Sequence, residues 1–483
     1  GGENGMNSSE AETRTVSFIG LMNYTLLNRY VFHASLNAEG NSAMGRNKRM
    51  GYFPAAGIAW NLQNESFMES LRDRWLDEAK IRVSVGQSGR APSGTSIYLG
   101  AYVKGDNYMN MSGTKPERMQ LDDLHWETST EYNYGADVML FGGRLKFTFD
   151  YYQKYIKDLL QKDYKLPSST GFGSMRYYNS GKMENKGWEF RADAIFWKNK
   201  DWQISGYVNL SRNENRITEL PGNMAQETYE ANNGKYAARV EVGQPVGAFY
   251  GYRYLGVYKD KDATYARDAS GNIMNDVHGK PIVMKNLTKA CQPGDAIYED
   301  INHDGVINQY DIVYLGNYNP VLTGGAGLTV KYKQVSLSAF FHGRFGQSIV
   351  NTARMNNESM YSDDNQSTAV LRRWRNEGDV TDIPRALYKE GYNYLGSDRF
   401  VEDASFIRLK TLTLNYLFPK KICNRLGINT LSCFVTGYNL FTWTNYTGQD
   451  PEVEIPTKPT DLAEDKATTP VSMRFAFGIN LNF

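Results

Sequence analysis

Apolar and polar residues alternate one by one through segment after segment of this chain, and the segments are long. In RLKFTFDYY, Leu145, Phe147, Phe149 and Tyr151 oppose Lys146, Thr148 and Asp150. In GWEFRADAIFW, Trp188, Phe190, Ala192, Ala194 and Phe196 oppose Glu189, Arg191 and Asp193. The final stretch repeats the pattern: Val471, Met473, Phe475, Phe477, Ile479, Leu481 and Phe483 share one parity, and Ser472, Arg474, Ala476, Gly478, Asn480 and Asn482 the other. A period of two means a strand with two unlike faces. A water-soluble sandwich gives the same alternation, so period alone does not decide the class. Length does: many of the runs reach about 10 to 13 residues, the reach of a tilted membrane strand, whereas soluble strands centre on about 5 to 6.

The connections alternate as well. FGGR (141–144), KNKD (198–201) and KYKQ (331–334) are tight, and Trp197 and Trp202 flank the second as an interfacial girdle would. Between such turns lie long loops at 158–184, 214–320 and 344–404. Short turns on one side and long loops on the other are the outer-membrane rule, with periplasmic turns and extracellular loops. The alternation predicts strands near 13–24, 28–39, 52–62, 79–90, 130–141, 144–157, 186–197, 201–213, 321–332, 334–343, 405–418, 429–441 and 470–483. One helix is predicted, in ESFMESLRDRWLDEAK (65–80), where Phe67, Leu71 and Trp75 would cap the periplasmic rim. The fold class is therefore all-β, a transmembrane antiparallel barrel sheet with long extracellular loops.

Composition removes the competing classes. Mean hydropathy is −0.55, and no apolar run approaches the ~18 residues of a membrane helix, which excludes a helical membrane protein but not a barrel. Lys+Arg 54 against Asp+Glu 53 leaves a net charge of +1, and no nucleic-acid partner is indicated. Cys291, Cys423 and Cys433 form neither a CxxC nor a metal spacing. No HExxH, GxSxG, Walker loop or GxGxxG occurs. His33, His125, His278, His303 and His342 are scattered, while Asp122–Asp123 and Asp363–Asp364 read as solvated surface. The expectation is a protein that is not an enzyme.

One segment carries inorganic chemistry. In DINHDGVINQYD, Asp300, Asn302 and Asp304 occupy positions 1, 3 and 5 of a cation loop, Gly305 turns at 6, and the Val306 carbonyl falls at 7. Ile307 is the apolar anchor and Asp311 fills position 12. Oxygen donors at this spacing wrap a hard cation of calcium size, with Asp311 shorter than the usual bidentate Glu. An Asx-rich turn without metal is the alternative. The loop aromatics Phe249, Tyr250, Tyr252 and Tyr254 could stack on sugars or peptides, or pack upon one another. Arg372, Arg373 and Arg375 around Trp374 are candidates for substrate or lid contact, against a solvated loop helix.

The strand count adds an expectation about what surrounds the chain. Single-chain bacterial barrels have even strand numbers and periplasmic ends. About thirteen strands counted back from a periplasmic C-terminus place the polar start GGENGMNSSEAETRT, which carries no leader, in an extracellular loop. The chain is then expected to be the C-terminal portion of a larger barrel, accompanied by an N-terminal part that pairs with its open edge.

Several stretches, in order, carry a family resemblance: NSGKMENKGWEF (179–190), VGQPVGAFYGYRYLGVY (242–258), PGDAIYEDINHDGVINQYDIVYLGNYNP (293–320), RWRNEGDVTDIPRA (373–386), DASFIRLKTLTLNYLFP (403–419), VTGYNLFTWTNYTGQDPEV (435–453) and the terminal strand. Over its whole length the chain resembles the C-terminal part of SusC/RagA-family TonB-dependent outer-membrane transporters. The resemblance implies a 22-stranded barrel around a plug that lies outside this chain, and energy drawn from the TonB complex through that missing part. It also implies a SusD-like lipoprotein lid and a glycan or peptide substrate. The aromatic terminus, Phe475, Phe477, Ile479, Leu481 and Phe483, would face outer-membrane lipid and resembles the signal that barrel-insertion machinery reads. A passive porin and a surface binding or adhesion barrel are the rival functions.

Overall fold

The computed structural model describes residues 12–72, 74–108, 111–221, 231–237, 239–456 and 461–483. Thirteen long strands hydrogen-bond in simple sequence order. They are β1 (Thr15–Leu26), β2 (Tyr30–Asn41), β3 (Met50–Asn61), β4 (Leu76–Arg90), β5 (Glu127–Leu140), β6 (Leu145–Lys157) and β7 (Lys182–Lys198). There follow β8 (Trp202–Glu219), β9 (Leu322–Tyr332), β10 (Val335–Phe345), β11 (Phe406–Leu417), β12 (Thr430–Thr444) and β13 (Arg474–Asn482). Each predicted strand has its counterpart, because a period of two needs no long-range information to be read. No helix among the described residues is long and apolar enough to cross a membrane.

The helix expected over 65–80 does not form. Leu62–Asn64 and Ser66–Met68 are 3₁₀ turns, and only Glu69–Arg72 is α-helical. Residues 76–80 belong instead to β4, with Leu76 opposite Leu140 and Lys80 opposite Asp137. A short isolated helix is marginal, whereas the neighbouring strand offers Leu76, Glu78, Ala79 and Lys80 a ladder. The turn is held by Glu65, which accepts from the Tyr30 hydroxyl at 2.9 Å and Trp60 Nε1 at 3.0 Å and pairs with Arg29 at 3.2 Å.

The chain divides into two compact units, residues 1–193 with 214–221, and residues 194–213 with 222–483. In the first, the two faces of the sheet differ as the alternation requires. Arg82 lies on the polar face, with Nε 2.8 Å from Asp137 and Nη1 3.1 Å from Asp150. Gly135 makes room for that guanidinium, since a Cβ there would fall 2.6 Å from it. Ile81, Val83, Val85, Tyr132, Tyr134 and Phe149 stand exposed on the other face, as they must where lipid is the solvent. At the long-loop end, the hairpins Ala101–Tyr108/Met111–Arg118 and Leu160–Lys165/Ser174–Asn179 form, and Ala43, Ile97, Leu124 and Tyr177 share a small core.

In the second unit β8 to β13 pair antiparallel, with Val435 opposite Phe477, Cys433 opposite Ile479 and Leu431 opposite Leu481. Phe477 is 78% and Phe483 82% exposed, so the terminal strand presents its aromatic face outward. The long connections behave differently from free loops. Residues 231–237, 239–320, 346–404, 445–456 and 461–467 fold into one body with three buried clusters. Ala248–Gly251 pairs with Val313–Asn317, Tyr254–Val257 with Ala296–Tyr298, and Ser348–Val350 with Val401–Asp403. Three chain segments meet where Tyr252 N donates to Gly396 O at 2.9 Å. A Cβ on Gly251 would stand 2.3 Å from the Gly396 carbonyl, and one on Gly396 would stand 2.0 Å from that of Lys235. Only glycine permits so close a backbone crossing.

Candidate functional site

The functional candidates lie in the body that crowns the second unit. Of the four aromatics proposed as ligand contacts, Phe249, Tyr250 and Tyr252 are buried, between 0% and 1% exposed. That corrects their expected role. Tyr252 packs at a tilt with its ring centre 5.7 Å from that of Tyr298, Phe249 lies 6.4 Å from Tyr318, and Tyr250 packs edge-on to Tyr314 under the Arg239 guanidinium. These rings are the core of the body, the self-packing alternative, because a strand sealed on both faces leaves no surface for a ligand. Tyr254 is the exception, half-buried, with its hydroxyl donating to Asp382 O at 2.8 Å and Arg399 above its ring at 5.3 Å. Burial pushes its hydroxyl up to about 12, against the opposing pull of Arg399.

Arg372 reaches the same residue from the other side, 4.0 Å from the Asp382 carboxylate. Arg372 and Arg375 are exposed, Arg375 Nη2 donates to Leu371 O at 3.2 Å, and Arg373 Nη1 donates to Val370 O at 3.3 Å. Trp374 turns inward over Gly294, where a Cβ would fall 2.3 Å from its ring. The expected cluster is therefore split, with Trp374 structural, Arg372 and Tyr254 meeting at Asp382, and Arg375 exposed beside Asp379, whose carboxylate accepts from its backbone N–H at 2.9 Å.

The loop Asp300–Asp311 closes on itself. Asp300 Oδ2 accepts from Gly305 N at 2.8 Å, Asp304 Oδ1 from Val306 N at 2.8 Å, and the Asn302 amide donates to Asp304 at 2.9 Å. Asp311 is 1% exposed, and its carboxylate accepts from Ile301 N and Asn308 N, both at 2.8 Å. The Val306 carbonyl accepts from the Asn308 side chain at 3.1 Å. Ile307 is fully buried and pairs in parallel with Asn286, and Gly305 adopts φ +82°. Desolvation raises the Asp311 carboxyl above the usual range, and the charge of Asp300 adds to it. Among the described residues no three of His, Cys, Asp and Glu gather in a metal-holding group. The three cysteines are unpaired, and burial pushes the Cys291 thiol up to about 12.

Sequence reasoning missed an ionic cluster on the polar face of β11. Arg408, 4% exposed, sends Nη2 to Asp450 at 2.6 Å, Nη1 to Glu452 at 2.5 Å and Nε to Thr442 at 2.8 Å. Lys410 joins Glu452 at 2.6 Å. The loop so anchored borders a cleft of about 330 Å³ lined by Glu454, Leu462, Glu464, Asp465 and Lys466. Asp465 is buried there and accepts from the Tyr446 hydroxyl and from Gln449 N, both at 2.9 Å. The only local signal was the run of acids in GQDPEVE, which names no partner.

A family model described as TonB dependent receptor-like, beta-barrel, matches residues 1–278. A TonB-dependent receptor of Formosa agariphila is 30% identical over 490 residues, covering 98% of this chain and 46% of that protein. The TonB-dependent receptor SusC of Bacteroides thetaiotaomicron is 29% identical over 493 residues, covering 97% of this chain and 44% of that protein. In fold, the chain is similar to the RagAB peptide transporter, with TM-score 0.76 at 24% identity over 98% of this chain and 48% of the other. The chain thus spans about half the length of the curated relatives it matches. With its thirteen strands, its outward aromatic face and this match over more than half its residues, the chain belongs to the TonB-dependent receptor-like β-barrel family of outer-membrane proteins.

Proposed function

We propose that the chain supplies barrel wall and extracellular body to a TonB-dependent importer of a glycan or oligopeptide, working beneath a SusD-like surface lipoprotein. The observation that carries this reading is the family match, on a sheet of membrane length topped by a folded extracellular body. The body has a packed core rather than mobile loops, which suits a surface against which a lid can dock reproducibly. Arg372 and Tyr254 at Asp382, with the exposed Arg375 nearby in sequence, are the candidate groups left open to a partner.

Uptake decides the class. Cells whose only receptor is the intact protein containing this chain should take up its cognate labelled oligosaccharide or peptide, and lose that uptake when TonB is deleted. The surface lipoprotein should co-purify with the receptor. Uptake that persists without TonB would make the protein a passive porin, and surface binding with no uptake an adhesion barrel.

A bound calcium ion at the Asp300–Asp311 loop belongs to the same proposal. The donor set is all oxygen, and a dication would offset the mutual repulsion of Asp300, Asp304 and Asp311 and the desolvation of Asp311. Chelator, or Asp300→Ala with Asp304→Ala, should raise hydrogen exchange across 285–311 while the strands stay protected. Exchange unchanged by chelator would leave the loop an Asx-rich turn closed by its own amides.

A further inference from the structure

The short turns of the second unit carry a run of exposed cations. The turns β7/β8, β9/β10 and β11/β12 form one continuous edge: Lys333 N donates to Asp201 O at 2.7 Å, and Leu417 N donates to Gln334 O at 2.8 Å. Along it stand Lys198, Lys200, Lys331, Lys333, Lys420 and Lys421, with Arg425 at the end of the short helix Lys420–Arg425, all exposed. Residues 197–203, 330–336 and 417–430 contain one carboxylate, Asp201. On the loop side of this unit several cations are ion-paired, Arg408 with Asp450 and Glu452, Arg354 with Glu358 and Glu402, and Arg385 with Asp295. In a chain of net charge +1, seven cations against one acid on a single edge is a local excess.

The same edge is apolar on its outward side. Trp202 and Tyr332 sit opposite each other in the ladder with ring centres 4.4 Å apart, and Lys333 Nζ lies 5.3 Å from the Tyr332 ring. Trp197 is 58% and Leu426 61% exposed. Trp202 and Tyr332 continue the lipid-facing row of Leu328, Leu337 and Leu414. Aromatic rings at the end of a lipid-facing row mark the depth of the headgroups. Lysines beside them hold their ammonium groups at the phosphate level while their stems cover apolar surface.

We propose that this edge binds the headgroups of anionic glycerophospholipids in the periplasmic leaflet. The inference rests on the outer-membrane reading, with the short turns facing the periplasm. Lipid is favoured over an acidic soluble protein because the cations are continuous with the membrane face. A lysine row lets several phosphates be shared without a rigid pocket, so the selectivity is for charge and not for one lipid.

The test uses the intact receptor in nanodiscs of phosphatidylethanolamine with a minor fraction of phosphatidylglycerol. Insertion is checked first by heat-modifiable mobility on gels, and retained lipid is then read by native mass spectrometry. Phosphatidylglycerol should be enriched about tenfold over its fraction in the disc and fall toward that fraction as salt is raised. Changing the six lysines to glutamine should abolish the enrichment, while Lys259→Gln with Lys280→Gln on the extracellular body leaves it intact. An inserted receptor that retains phosphatidylglycerol only in proportion, or equally with the six lysines replaced, overturns the proposal alone. Failure to insert would overturn the outer-membrane reading with it. Capture of polyglutamate by the inserted receptor, with no lipid preference, would reassign the edge to an acidic protein.

Discussion

Arg408→Ala is expected to release the loop from Gln449 to Val471. The guanidinium is nearly sealed from solvent and serves Asp450, Glu452 and Thr442 at once. Its removal leaves two carboxylates in a confined site, where among the described residues Lys410 still pairs with Glu452 and no cation pairs with Asp450. Breaking one side of a buried ion pair costs about 3–5 kcal/mol, most of it the uncompensated charge that stays behind. Hydrogen exchange over 445–471 should rise by about two to four orders of magnitude, the factor such an energy implies where opening is local. Exchange in β11 and β12 should change little. Arg408→Met combined with Asp450→Asn and Glu452→Gln should recover most of the protection, because no charge is then stranded. If Arg408→Ala leaves exchange in the loop as it was, the cluster does not hold it.

Tyr252→Ala should dismantle the extracellular body without dissolving the sheet. Truncating a fully buried aromatic costs about 3–5 kcal/mol through lost burial and the cavity left behind. Tyr252 sits where three segments cross, packed against the Tyr298 ring and one residue from the Gly251–Gly396 contact. Protease should then cut within 231–320 and 385–398, while the membrane strands keep their heat-modifiable gel mobility. Tyr310→Ala, at a ring 68% exposed, is the control and should shift stability by less than about 0.5 kcal/mol. A Tyr252→Ala protein with an intact body but altered uptake would restore this ring to the ligand-contact role that its burial denies it.

The strands were legible because each declares itself within ten residues: Leu145, Phe147 and Phe149 name their own face. Trp197 and Trp202 likewise mark the end of a hairpin without reference to anything distant. Ile307 could be read as an anchor because its place is fixed by Asp300 and Gly305 a few residues away. Tyr250 and Tyr252 were not legible in this way. A two-faced strand and a strand sealed on both faces share a sequence when the covering partner, here 395–398, comes about 145 residues later. Arg408 with Asp450 and Glu452 failed for the same reason, since oppositely charged residues more than forty positions apart are common and few of them meet. The helix expected at 65–80 failed locally: the spacing of Phe67, Leu71 and Trp75 was real, but β5 offered residues 76–80 a ladder.

The extracellular body is assembled from described residues of three connections, 231–320 without 238, 346–404, and 445–467 without 457–460, and between these pieces the chain passes down and up through β9/β10 and β11/β12. No contiguous stretch can therefore fold it ahead of the sheet. Tyr252 finds Gly396, and Arg408 finds Asp450, only once the hairpins that separate them stand side by side. Until then the rings of 248–258 are an unprotected apolar sequence, with a strong tendency to pair wrongly or to aggregate. Completion of the outer surface is thus a late event that reports on the membrane part beneath it. A receptor whose last hairpins are misregistered would display a collapsed, protease-sensitive crown, and its own surface would show that it is defective.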